Sequence, residues 1–183
     1  PRVSKHRIFI WLAPDVLGND GTIVFAREDD FFFGILHSTI HEIWARGTGT
    51  QLREAESGFR YTPTTTFETF PFPWPPGKEP QPQTSEVSET SEVSGAALVQ
   101  AIAAAAKQLD AFRTEWLNPS SSLYSGSIGE KVLQKRTLTN LYNALNLYRE
   151  QFKGKSRDLQ AWRESPSGAI ASLDDAEILD HLH

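Results

Sequence analysis

Two histidines, His37 and His41, stand four residues apart in a segment whose apolar spacing predicts a helix. Histidines at this spacing share a helix face and can bind zinc together. No third ligand set accompanies the pair, and Glu42 stands outside the order that metalloproteases use. The pair therefore favours a half-buried helix edge, with a role near a partner surface as the next alternative and a metal site as the last.

The stretch Arg46-Gly-Thr-Gly-Thr50 superficially resembles a glycine loop that holds a nucleotide or S-adenosylmethionine. Such loops follow a strand and open a helix, whereas this one follows a predicted helix, and Leu52 stands where a third glycine would be. We interpret it as a helix C-cap and a flexible loop. Asn118-Pro119 lacks the second proline and the aromatic residue of a motif that holds a flipped adenine, so it predicts a helix stop.

The composition excludes several further kinds of catalytic and metal site. The 183 residues include no Cys, which removes thiolate zinc sites and cysteine nucleophiles, and no Gly-x-Ser-x-Gly elbow is present. The residues therefore predict neither a catalytic site nor a cofactor or metal site in this chain. No apolar run approaches the ~20 residues that span a bilayer, so we expect no membrane partner and a cytoplasmic setting.

Charge is unevenly distributed along the chain. The net charge of −5 arises largely from residues 79–94, which hold 4 Glu and no Lys or Arg. Residues 131–157, in contrast, carry a local charge of +6. Because a field acts locally, the acidic total does not exclude a nucleic-acid partner.

The sequence predicts two folded parts joined by a linker. Residues 1–75 predict a small mixed α/β part, residues 76–94 a flexible Pro/Ser/Glu linker, and residues 95–183 an α-helical hairpin or bundle, an α+β protein as a whole. The first part has five predicted features: strands over 7–12 and 22–26, carboxylates that cap a helix at 28–30, the helix over 30–46, and an extended aromatic segment over 59–75.

Two helices are predicted in the last part. Leu98 to Trp116 and Leu138 to Phe152 both show apolar residues at alternating spacings of 3 and 4, so the two seams are expected to face each other. Arg136, Asn140 and Asn143 cluster on the far side of the second helix, as donors suited to phosphates or to simple solvation. Further short helices are expected at 158–164 and 173–183.

Four blocks of the sequence resemble a known family. They are Asp29-Asp-Phe-Phe-Phe-Gly-Ile-Leu-His-Ser-Thr-Ile-His-Glu-Ile-Trp-Ala45, Tyr61-Thr-Pro-Thr-Thr-Thr-Phe-Glu-Thr-Phe-Pro-Phe-Pro73, Trp116-Leu-Asn-Pro119 and Arg136-Thr-Leu-Thr-Asn-Leu-Tyr-Asn143. Together they look like the C-terminal portion of large bacterial DNA adenine methyltransferases of type II restriction–modification systems. The proline- and threonine-rich second block is the most specific.

The resemblance implies a target-recognition part in residues 1–75 and a helical C-terminal region in 95–183. It also implies double-stranded DNA as a partner, an upstream methyltransferase domain of the same polypeptide that uses S-adenosylmethionine, and in some relatives DNA cleavage. This chain would perform no chemistry itself. The linker looks longer than the family needs, and the family's terminal aromatic-Gly-Trp stretch would lie beyond His183.

Candidate DNA contacts follow from the donors and acceptors in the polar loop over 46–60, in the second block and in the second predicted helix. They are Arg46, Thr48, Thr50, Gln51, Arg53, Arg60 and Tyr61 for base reading and its surroundings, Thr64, Thr65 and Thr66 as positioning groups, and Arg136, Asn140 and Asn143 on the second predicted helix. The alternative for each is an ordinary solvated position. The alternative function is a protein-interaction or assembly module without DNA specificity of its own.

Overall fold

A computed structural model describes residues 1–51, 59–81, 94–118 and 133–151. The chain divides into two compact units, Pro1–Gln108 and Leu109–His183. The regular elements are β1 (Val3–Ser4), α1 (Asp30–His37), α2 (Thr39–Thr48), β2 (Thr50–Gln51), β3 (Phe59–Arg60), a π-helical turn (Pro63–Phe67), α3 (Gly95–Leu117) and α4 (Leu138–Gln151).

Helices with a small sheet are compatible with the predicted α+β class. The division between the compact units falls inside α3. The boundaries proposed at 75 and 94, the linker and the hairpin stay predictions, and much of the linker lies outside the described residues, as do the short helices expected at 158–164 and 173–183.

The first helix begins at Asp30, where the carboxylates at 28–30 predicted a helix start. The side chain of Asp29 accepts a hydrogen bond of 2.9 Å from the backbone N–H of Phe32, which caps α1 and confirms that prediction. The single helix predicted over 30–46 is wrong, because Ser38 takes an extended conformation and its hydroxyl caps a second helix at His41 N–H. A serine hydroxyl competes with the helical backbone in this way.

The break at Ser38 changes which side chains are buried. The predicted apolar arc combined positions before and after Ser38 as though they shared one helix axis. Instead Ile40 and Ile43 in α2 are 71% and 67% exposed, while Phe32 and Leu36 in α1 are buried. Two adjacent isoleucine side chains thus face solvent on α2.

The sheet of the first unit is small, with strand order β1-β3-β2 and antiparallel pairing throughout. The strands predicted over 7–12 and 22–26 are wrong, since neither segment joins a ladder in the described residues. These runs pack side chains instead of pairing backbones: Phe9 and Phe25 lie against the buried cluster of Ala45, Phe59 and Tyr61. The apolar residues of these segments favoured strands. Their side chains are instead buried by packing, without any backbone pairing.

The threonine-rich segment is helical over one turn, so the extended conformation predicted for it is wrong. Its amide-to-carbonyl bonds run from Thr66 to Thr62 at 2.8 Å and from Glu68 to Pro63 at 2.9 Å. Pro63 is compatible with this turn because the first residues of a helix need no N–H partner within it. The proline therefore starts the helical turn.

Each unit has its own core. In the first, Phe31, Ile35 and Phe70 form a buried cluster against which Val99 and Ile102 of α3 pack.

In the second unit, Trp116 of α3 packs with Leu141 and Leu145 of α4, so the C-terminal end of the seam predicted for α3 meets α4. The N-terminal end does not, because Ile102 packs against the buried cluster of the first unit and Leu98 is 44% exposed. Among the described helices, none combines the length and apolarity that crossing a bilayer requires.

Candidate nucleic-acid interface

The three short strands give the first unit one inward and one outward surface. Residues directly opposite in antiparallel strands share a sheet face. Val3 and Thr50 both lie opposite Arg60, whereas Phe59 lies one residue before it and is only 5% exposed. We call Val3, Thr50 and Arg60 the outer strand face, and all three are exposed.

Arg60 lies at the centre of the outer strand face because β3 is the middle strand. Within the described residues, Arg60 takes part in no ion pair. In contrast, Arg27 bonds to both Asp29 and Glu79, at 2.6 and 3.0 Å. Partial burial opposes ionisation of Glu79, but the Gly77 N–H and the Arg27 guanidinium outweigh it and hold its pKa below the usual value.

A glycine permits the close approach that places β2 beside β3. A Cβ built on Gly49 would lie 2.7 Å from the carbonyl oxygen of Ala45 and 2.9 Å from that of Arg60. These distances leave no room for a side chain between the end of α2 and β3. Gly49 is the C-cap of α2, as the sequence predicted, but it forms a packed contact instead of part of a flexible loop, and this contact brings Thr50 next to Arg60.

Arg46 and Thr48 lie in the last turn of α2. The Arg46 guanidinium forms an exposed ion pair of 2.7 Å with Glu42, and it also lies over the ring of Phe59, 5.3 Å from its centroid. The Thr48 hydroxyl donates to the carbonyl of Trp44 at 2.9 Å. Arg46 thus keeps solvent access while its charge is offset by Glu42.

The three threonines predicted as positioning groups differ in burial. Thr64 and Thr65 are exposed, whereas Thr66 is 0% exposed and its carbonyl accepts a bond of 3.1 Å from the Trp44 indole. Tyr61 is buried as well, at 5% exposure. Only the first two hydroxyls face solvent here.

Two predicted residues have no described side chain. Arg53 lies outside the described residues, and Gln51 is described only as part of β2, opposite Phe59.

The candidates of the second unit differ from one another. Arg136 is 9% exposed, donates a bond of 2.8 Å to the carbonyl of Trp116, and lies over the Trp116 ring. Asn140 is exposed and donates to the Lys135 carbonyl at 2.6 Å, and Asn143 is half-buried. Arg136 thus joins the residues before α4 to the end of α3, a contact that the sequence pattern did not indicate.

The two histidines take different positions. His37 is half-buried; it accepts from the Phe9 N–H at Nε2, 3.2 Å away, and its Nδ1 lies 3.0 Å from the Phe33 carbonyl oxygen. His41 is fully buried, with Nε2 3.1 Å from the Tyr61 hydroxyl. No group of three or more potential metal ligands occurs among the described residues.

Arg7 is the residue of this region that sequence reasoning missed. Its guanidinium donates to the carbonyls of Leu36 and Ser38 and lies 3.0 Å from Nδ1 of His41. A single cation at the start of the apolar run 7–12 is the sequence feature that could have indicated a partly buried charge. The partners themselves stand 29 to 34 positions away.

A small sheet with an exposed arginine and threonine, held by a buried polar network, is an arrangement compatible with a sequence-reading module. Residues 3–74 match the family described as MmeI, target recognition domain. This match supports a target recognition domain of a restriction–modification enzyme, which reads DNA sequence, in the first unit. The chain gave no match among curated proteins and none among solved structures.

Proposed function

We propose that residues 1–75 recognise a specific sequence of double-stranded DNA for an adenine N6-methyltransferase of a restriction–modification system, and that the outer strand face makes the base contacts. The observation that carries the proposal is the exposed Arg60 between Thr50 and Val3, within the region that matches a target recognition domain. The resemblance stated from the sequence blocks supplies the methyltransferase class.

The chemistry of the outer strand face suits the major groove. An antiparallel ribbon fits the width of that groove, and an arginine can donate two hydrogen bonds to the edge of guanine. A threonine offers a hydroxyl to any base edge and a methyl group to thymine. Arg60 is therefore the proposed base reader, with Thr50 beside it and Arg46 as a phosphate contact.

Methyl transfer itself is assigned to a methyltransferase domain that binds S-adenosylmethionine and acts in the cytoplasm with this recognition part. Such an enzyme must rotate the target adenine out of the duplex, and the flanking bases must be held in register meanwhile. Holding those bases is the role proposed for the first unit.

The test measures duplex binding by the full chain, by fluorescence anisotropy, over a series of salt concentrations. Phosphate contacts release counterions, so affinity should fall steeply as salt rises. Arg60→Ala should weaken binding about tenfold.

Lys78→Ala is the matched control, because it removes one exposed positive charge elsewhere in the first unit and should change binding little. Equal effects of the two variants, or binding that does not depend on salt, would contradict the proposal.

The alternative, a protein-interaction module, draws on the exposed Ile40 and Ile43 of α2. Exposed aliphatic side chains next to each other favour contact with another protein surface. Sedimentation at several concentrations tests this function. Self-association that Ile43→Ser abolishes, together with absent DNA binding, would favour it over sequence recognition.

A further inference from the structure

The break between α1 and α2 leaves the carbonyl group of Leu36 without its helical hydrogen bond. In an uninterrupted helix the carbonyl of Leu36 would accept the N–H of Ile40. Here it accepts from the Arg7 guanidinium, and Nδ1 of His41 lies 2.9 Å away. The hydroxyl of Ser38, which replaces the helical bonds at this point, donates to Ile35 O at 2.7 Å.

Nδ1 of His41 faces two groups of opposite character. The Leu36 carbonyl oxygen, 2.9 Å away, only accepts, whereas Nη1 of Arg7, 3.0 Å away, only donates. In either tautomer Nε2 and the Tyr61 hydroxyl, 3.1 Å apart, share one hydrogen bond, because a hydroxyl both donates and accepts. Burial and, to a smaller extent, the nearby charge of Arg7 lower the pKa of His41 to about 4, so the ring is neutral at pH 7.

Tyr61 links this buried network to the outer strand face. It follows Arg60 directly, and its backbone N–H donates to the carbonyl of Arg2 at 2.8 Å. Successive side chains of a strand point to opposite faces. Anchoring the Tyr61 ring in the interior therefore directs Arg60 outward and fixes its position along the sheet.

We propose that Arg7, His41 and Tyr61 are positioning residues that set which base edge Arg60 reaches. The inference rests on the proposed function, and it concerns sequence discrimination more than affinity. His41 and Tyr61 are buried, at 0% and 5% exposure, so their proposed effect on DNA is indirect. Its effect passes through β3, since the Tyr61 hydroxyl is bound to His41 while the adjacent residue is exposed.

The test selects a preferred duplex for the full chain from a pool with a randomised centre. Discrimination is then the ratio of dissociation constants for that duplex and for duplexes with one base pair changed. Tyr61→Phe, which removes one hydroxyl and keeps the ring, should lower discrimination at least fivefold at the position that Arg60 reads. Affinity for non-preferred duplexes should stay unchanged.

The matched control is Tyr142→Phe, which removes a hydroxyl that accepts from Arg113 in the second unit. It should leave discrimination unchanged. His41→Gln is a second variant of the network, and thermal melting of each variant shows whether it folds. A purely structural role would lower the melting temperature and weaken all duplexes alike.

A double-mutant comparison tests whether Tyr61 acts through Arg60. If Tyr61 acts through Arg60, Tyr61→Phe should have no further effect on discrimination in an Arg60→Ala chain. Additive effects, or full discrimination in folded Tyr61→Phe, would overturn the positioning role alone. A wild-type chain without any sequence preference would overturn the proposed function and this inference together.

Discussion

Gly34 of α1 and Ile102 of α3 are in contact so close that a Cβ built on the glycine would lie 2.7 Å from Cγ2 of the isoleucine. The same Cβ would lie 3.1 Å from the Ile102 carbonyl oxygen and 3.3 Å from the Cβ of Ala106, which is buried. Within the first unit, the first half of α3 thus packs on α1 at a point where only glycine fits.

Gly34→Ala should destabilise the first unit, because the added methyl group must displace a side chain and a helix backbone. Overpacking of this kind costs about 1–3 kcal/mol, more than the helix propensity of alanine returns. Urea unfolding followed by circular dichroism measures the change in free energy of unfolding.

Gly47→Ala is the control for that substitution. Gly47 lies in α2, and nothing lies within 4 Å of a Cβ built there. Alanine should therefore stabilise the helix by about 0.5–1 kcal/mol. Equal responses at the two glycines would show that the close α1–α3 contact does not limit the residue at position 34.

Stability should fall as pH decreases from about 6.5 to about 4, because of His41. Its pKa is lowered from 6.5 to about 4, so in this interval the unfolded chain binds a proton that the folded chain does not. Stability therefore rises with pH there, by ~3 kcal/mol in total as an order of magnitude. Urea unfolding at pH 5, 6 and 7 measures the slope.

The groups that face His41 do not titrate in that interval. Arg7 stays positively charged, and burial raises the pKa of Tyr61 above its usual value. In His41→Gln the slope between pH 5 and 7 should become shallower, whatever the absolute stability of the variant. An unchanged slope would show that His41 is not neutral and buried in solution.

Local patterns predicted some elements well and missed others for physical reasons. The apolar spacing from Leu138 onward predicted α4, and the carboxylates before Phe31 predicted the cap of α1. The break at Ser38 was missed because apolar spacing continues through it, while the deciding contacts come from Arg7, far away in sequence. Spacing alone does not specify such tertiary hydrogen bonds.

In the candidate site, too, the sequence predicted the residue types but not the tertiary contacts. Arg60 and Thr50 were selected for their chemistry, but their pairing across β2 and β3 depends on the close contact at Gly49. The burial of Thr66 also depends on tertiary packing, since residue type alone favoured an exposed hydroxyl. Residue type therefore identified the donors, and the fold decides which of them face solvent.

Thr66→Ala should destabilise the first unit, whereas Thr64→Ala should not. Thr66 is 0% exposed, and its hydroxyl lies 3.4 Å from the backbone N–H of Thr62. Losing a buried methyl and a buried hydroxyl should cost about 1–2 kcal/mol. An exposed threonine such as Thr64 should change stability by less than about 0.5 kcal/mol. Thermal melting compares the two variants, and equal losses would contradict the burial of Thr66.

Arg60→Lys should separate charge from base reading. Lysine keeps the positive charge at the centre of the outer strand face, so the dependence of DNA affinity on salt should stay as in the wild type. It cannot reproduce the planar pair of donors that a guanidinium presents to guanine. Discrimination at one base pair should therefore fall about tenfold, equivalent to about 1.4 kcal/mol.

The measurement is the ratio of dissociation constants for the preferred and singly changed duplexes, at two salt concentrations. A lysine variant that keeps full discrimination would show that the guanidinium geometry of Arg60 is not used. A variant that loses salt dependence and discrimination together would show that lysine disturbs the outer strand face as a whole, because the charge at position 60 is retained. Only the predicted split, with an unchanged salt dependence and reduced discrimination, assigns base reading to this side chain.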